Sequence, residues 1–117
     1  MKKGFSLVEI LIVIAIVGIL AGVVYIRMDS AKKKAQTSAG TQTAKSVSPY
    51  ALDCFAGGGL VENPANGGAV CNPDDGTKYP SSPPGCIWSN GPVADESYSM
   101  TCDTTTVNCD ASTGACQ

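Results

Sequence analysis

Six cysteines carry most of the reactive chemistry this chain can offer: Cys54, Cys71, Cys86, Cys102, Cys109 and Cys116. No Cys-x-x-Cys spacing occurs among them and the chain has no histidine, so neither a zinc site nor the commonest general base is available. An even set of cysteines reads as three disulfides formed in an oxidising compartment. Reduced core cysteines in a cytoplasmic protein are the plainer alternative, and spacing alone does not choose among the possible pairings. The other candidates are carboxylates. Asp103 and Asp110, or Asp74 and Asp75, can offer oxygen to Ca2+, but no calcium-loop pattern surrounds them and solvated loop carboxylates are the favoured reading. No cofactor is therefore expected. Nor is an enzyme, because these acids lack an apolar setting to shift their pKa and the thiols are committed to bridges.

Glu9 is the exception among the acids. It is the single charge in Phe5 to Ile26, a run of 22 residues that is otherwise almost all aliphatic. At a rise of about 1.5 Å per residue the run makes about 33 Å of helix, enough to cross a hydrocarbon layer of about 30 Å. The rest of the chain holds too little apolar material to surround it, so its solvent must be lipid or copies of itself. A carboxylate inside such a helix costs up to about 3 kcal/mol at the centre and less near an end. Either Glu9 hydrates at headgroup depth, or it awaits a positive partner inside the apolar phase.

The flanks bear on that choice. Met1-Lys2-Lys3-Gly4 is a short basic leader, followed by Gly4-Phe5-Ser6-Leu7-Val8-Glu9. This stretch closely resembles the class III signal sequence of type IV pilins and pseudopilins. The resemblance is dense over residues 2–26 and does not reach the last 60. It implies that a prepilin peptidase cuts on the cytoplasmic side between Gly4 and Phe5, that Phe5 becomes the N-methylated N-terminus, and that Glu9 meets the Phe5 amine of a neighbouring subunit. Charges about 4 Å apart attract by about 4 kcal/mol at an effective dielectric of 20, before desolvation is subtracted. The larger gain is in register, since a subunit docked at the wrong height leaves both charges unpaired. An ordinary secretory signal is the rival reading, but no small-x-small cleavage site follows the apolar run.

Formal net charge is −2, and becomes −4 once Lys2 and Lys3 leave with the leader. Arg27, Lys32, Lys33 and Lys34 follow the apolar run, so the positive-inside trend taken alone would hold the C-terminal part in the cytoplasm. The cysteines and the leader point the other way, and we side with them.

No strong stop signal follows Ile26, so the helix is expected to continue over 27–55 as an amphipathic half. Small or apolar residues recur at 28, 31, 35, 39, 44, 47, 51 and 55, a narrow Ala-rich stripe. Gly40 should weaken its middle, and Pro49 should kink the helix or break it after Ser48. Gly18 and Gly22 form a Gly-x-x-x-Gly spacing that lets helices approach closely, or reflect ordinary small-residue tolerance. Residues 56–117 hold nine of the 13 glycines and six of the seven prolines, with few large apolar side chains. Such a head needs its disulfides and the helix to be stable. Strands are expected at 85–89, 97–102 and 105–109, with 90–96 as a hairpin loop and 57–59 and 64–84 as irregular loops. Tyr98, Met100 and Cys102 should face inward and Ser97, Ser99 and Thr101 outward. By the same resemblance, to pilins with a disulfide-closed C-terminal loop, Cys116 is expected to pair back to a strand. Cys54 should tie the helix end to the head.

The expected fold is therefore α+β: a leader (1–4), a membrane-spanning assembly helix (5–26), its amphipathic continuation (27–55), and a small disulfide-rich head (56–117) with a short antiparallel sheet. The resemblance implies a structural subunit of a type IV pilus-like filament, serving adhesion or motility. It would be stored as a single-pass inner-membrane protein with its head outside, then polymerised into an extracellular homo-oligomeric filament. Lipid, prepilin peptidase, an inner-membrane assembly platform and its ATPase would be the partners, since no phosphate-binding loop exists in this chain. The head carries seven acids and one lysine, so its field does not attract nucleic acid. A secretion pseudopilin, or a monomeric membrane-anchored binding module, are the alternatives.

Overall fold

The computed structural model describes residues 3–117, so Met1 and Lys2 of the expected leader lie outside the described residues. One helix, α1 (Leu7–Ala56), is followed by β1 (Leu60–Val61), β2 (Cys71–Asn72), β3 (Cys86–Asn90), β4 (Ser97–Cys102) and β5 (Thr105–Asp110). The class is α+β, as expected. The chain divides into a first unit ending at Lys33 and a second, Lys34–Gln117.

In the first unit the helix begins at Leu7, two residues later than the expected Phe5. The Ser6 carbonyl accepts the amides of Glu9 and Ile10 at 3.0 and 3.3 Å, which makes Ser6 the N-cap residue. The expected break after Ser48 does not occur, because the helix runs unbroken through Pro49. A proline there removes the bond to the Lys45 carbonyl, and Lys45 and Pro49 are both exposed, so water can serve that oxygen. The stop is chemically explicit. The Gly58 amide bonds the Phe55 carbonyl at 3.0 Å and the Gly59 amide bonds the Cys54 carbonyl at 2.9 Å, with Gly58 at φ 81°. This is a Schellman motif, and its left-handed position is filled by the residue type that adopts it without strain.

In the second unit the buried helix face is Gly40, Ala44, Val47, Ser48, Ala51 and Cys54. The lower half of the expected stripe is therefore correct at 44, 47 and 51. Its upper half is not: Met28, Ala31 and Ala35 are exposed and Ala39 is half-buried. Gly40 takes over because the Cys86–Cys102 disulfide packs on it. A Cβ at Gly40 would overlap Cys102 Sγ and stand 2.9 Å from Cys86 Sγ. The glycine that should weaken the helix is the notch that lets the sheet reach it.

The strands β3-β4-β5 form an antiparallel sheet with β4 central, Cys86 facing Cys102 and Ser97 facing Asp110. Tyr98 and Met100 are fully buried, and the Tyr98 hydroxyl donates to the Ala44 carbonyl at 2.9 Å. Ser97 and Ser99 are buried too, against the expected alternation. The 91–96 loop folds back over that side of β4. Ser97 Oγ accepts from the Val93 amide at 2.8 Å and donates to its carbonyl at 2.7 Å, and Ser99 Oγ donates to the Asn90 carbonyl at 2.8 Å. Hydroxyls satisfied in this way can be covered at little cost.

The 57–84 region is more ordered than expected. Val61 pairs with Cys71 and Leu60 with Asn72, and Ala69 bridges Lys78. Val70 and Tyr79 enter the core beside this ladder. The bridges Cys54–Cys71, Cys86–Cys102 and Cys109–Cys116 tie helix end to ladder, β3 to β4, and β5 to the C-terminal segment. Cys54 thus reaches the head and Cys116 returns to a strand.

Tyr79, Trp88 and Tyr98 pack in tilted and edge-to-face contacts, with centroids 5.1 to 6.1 Å apart. Burial pushes both phenols well above their ordinary value of 10.0. The unfolded chain then holds fewer protons than the folded one above pH 10, so stability falls as pH rises. The stabilisation is whole below pH 10 and declines by about 1.4 kcal/mol per pH unit for each phenol above it. Urea melts at stepped alkaline pH, read by tyrosinate absorbance, should show two phenols ionising together with unfolding. Ionisation of both in the folded head would contradict the packing.

Candidate functional site

The candidate assembly site is the N-terminal segment of the first unit. Gly4, Phe5 and Ser6 precede the helix without regular structure, so the Gly4–Phe5 bond lies in backbone that a protease can take up in extended form. Glu9 stands in the first helical turn, three residues after the N-cap. Ser6-Leu7-Val8-Glu9 has the Ser-x-x-Glu pattern of a capping box, a signal legible in the sequence that the family resemblance overshadowed. An acid here is stabilised by the positive end of the helix by about 0.3–1 kcal/mol. Among the described residues no cation forms an ion pair with it.

The apolar run beyond Glu9 is exposed on every side. Phe5 is 79% exposed, and so in large part are the aliphatic side chains from Leu7 to Ile26. Val17, Leu20, Val24, Tyr25 and Met28 border a shallow apolar groove. Gly18 and Gly22 have nothing within 4 Å of where a Cβ would stand. The helix is long and apolar enough to cross a membrane.

The other sequence candidates lie elsewhere. All six cysteines are bridged. Asp103 and Asp110 sit at opposite ends of β5, since Cys102 faces Thr105 and Ser97 faces Asp110, so they cannot share one ion. Asp74 Oδ2 is held by Lys78 at 2.7 Å, and Asp74 Oδ1 and Asp75 Oδ1 accept the Gly76 and Thr77 amides. Lys78 and the Gly76 amide keep the Asp74 carboxyl below its ordinary value. Among the described residues no three potential ligands converge.

A glycine–phenylalanine bond just before the helix, an acid in its first turn and an exposed apolar run have a counterpart among known families. Residues 1–25 match the family model described as the prokaryotic N-terminal methylation motif. The chain carries that motif. The methylation motif is the class III signal of type IV pilins, and it supports a pilin- or pseudopilin-like prepilin substrate anchored by its apolar helix. It covers Gly4, Phe5 and Glu9 and leaves the head outside the match. No curated protein and no solved structure matches the chain.

Proposed function

We propose that this protein is the structural subunit of a type IV pilus-like filament. Prepilin peptidase cuts between Gly4 and Phe5, Phe5 is N-methylated, and the subunit waits in the inner membrane with its head outside. An assembly platform driven by a separate ATPase then draws it into the polymer. The observation that carries this reading is the pairing of the methylation motif with an apolar helix whose side chains are exposed among the described residues. In a filament, copies of that helix cover one another, with Gly18 and Gly22 allowing close approach. The Glu9 carboxylate then has a cation to meet, the Phe5 amine of the adjacent copy. The bridged head forms the outer surface, which in an oxidising exterior suits its three disulfides. Three disulfides, two within so small a head and one joining it to the helix end, fit a pilus subunit better than a secretion pseudopilin.

Intact mass and N-terminal sequencing of the exported protein test this. The expected product starts at methylated Phe5 and is six hydrogens lighter than the reduced chain, two for each disulfide. A product starting beyond Ile26 would mean that an ordinary signal had been removed, and would reject the proposal.

A further inference from the structure

The charges beyond the apolar run are segregated. Residues 27–45 carry Arg27, Lys32, Lys33, Lys34 and Lys45 against one acid, Asp29. Residues 53–117 carry eight acids and one lysine, and that lysine is held by Asp74. Four of the acids gather at one end of the three-stranded sheet. Asp110 faces Ser97 across the ladder, the Glu96 carbonyl accepts the Ala111 amide at 2.8 Å, and the Asp95 carbonyl accepts the Val61 amide at 2.8 Å, which brings Glu62 to the same end. Among the described residues no cation forms an ion pair with any of the four. Of the four, Asp110 lines a groove of about 480 Å³ that is also bordered by Pro92, Val93, Asn108, Thr113 and Gln117. Its polar lining offers amide, hydroxyl and carboxylate oxygens, which suit an ammonium group.

We infer that this acidic end of the sheet, with the groove that Asp110 lines, is a docking surface for a second copy of the same chain, and that it receives the basic segment 27–45 of that copy. The inference rests on the filament reading and adds to it a second contact between subunits, outside the apolar helix. Charge complementarity selects the occupant. Without the leader each copy has a net charge of −4, so copies repel unless their opposite segments interleave. The basic segment lies on the side of the apolar run where the positive-inside trend disfavours it, and a partner of opposite sign gives it a use there. Asp110 is suited to the role, since the Ser112 hydroxyl and amide, at 2.6 and 2.7 Å, hold its carboxyl below the ordinary range and keep it charged.

The test is a charge swap in the full chain, expressed with its processing and assembly apparatus, with sheared surface filaments as the readout. Lys32→Glu/Lys34→Glu and Glu62→Lys/Glu96→Lys each replace attraction by repulsion on exposed or partly exposed side chains, and each should lower filament yield about tenfold. The combined four-residue variant restores the opposite signs and should recover most of the yield, which a misfolded head could not do. Salt provides the second readout. Raising ionic strength from about 0.01 M to about 1 M shortens the screening length from about 30 Å to about 3 Å, and should loosen wild-type filaments. If the combined variant is no better than either parent, the inference fails. If only the 32/34 reversal matters, the basic segment serves anionic lipid headgroups and the inference also fails. All three variants assembling at wild-type yield would overturn this contact alone. A wild type that forms no filaments overturns the filament reading with it.

Discussion

Glu9→Gln is expected to reduce surface filaments by about a hundredfold or more while leaving the amount of membrane-inserted protein unchanged. The substitution keeps size, hydrogen-bonding capacity and the capping-box position, and removes only the charge. On the proposed filament reading it leaves the neighbour's Phe5 amine unpaired in an apolar phase, a loss of about 3–5 kcal/mol for each docking event. Glu9→Ala adds the loss of the helix-end contribution, about 0.3–1 kcal/mol, and so is the less specific probe. Quantitative immunoblots of sheared and membrane fractions check the result. Filaments from Glu9→Gln at wild-type yield would show that the carboxylate serves only the helix end.

The second large effect belongs to Gly40. Replacing glycine by alanine inside a helix ordinarily gains about 1 kcal/mol. Here the added Cβ overlaps Cys102 Sγ and presses on Cys86 Sγ, and a bridged pair cannot swing aside as a free side chain does. Overpacking of that kind costs about 1–3 kcal/mol, and more for a larger side chain. Gly40→Ala is therefore expected to lower stability by up to about 2 kcal/mol, and Gly40→Leu to prevent the sheet from seating on the helix. Near-UV circular dichroism of Trp88 during urea melts of the full chain in detergent reads this directly. Gly22→Ala is the control, since nothing stands near that position in the chain, and it should leave the head's melt unchanged. A stabilised Gly40→Ala would contradict the packing of the Cys86–Cys102 bridge on the helix.

The contrast between Gly40 and Gly22 shows what the sequence can reveal. The apolar run, the short basic N-terminal stretch and Glu9 are local patterns, legible because each is written in consecutive residues of the chain. The strands β3 to β5 are legible for the same reason, since β-rich runs stand between turn residues. Gly40 is not legible in this way. Its role depends on a disulfide formed 46 to 62 residues later in the chain, and propensity alone gives it the opposite sign. Ser97 and Ser99 mislead likewise, because the loop that bonds Ser97 and the β3 carbonyls that take the Ser99 hydroxyl are brought there only by folding. The pairing of Leu60–Val61 with Cys71–Asn72 is two residues long and carries no periodicity to detect. The helix start at Leu7 is legible in Ser6-Leu7-Val8-Glu9, whose Ser-x-x-Glu spacing marks a helix N-terminus.

The most direct test of the filament reading is to shear the cell surface of a host that has a working cleavage-and-export apparatus, image the released material, and sequence its subunits. Helical filaments built from this chain, each subunit lacking residues 1–4, are the predicted outcome. A shear fraction free of the chain, with all of it held in the inner membrane as a single copy still bearing residues 1–4, would contradict it.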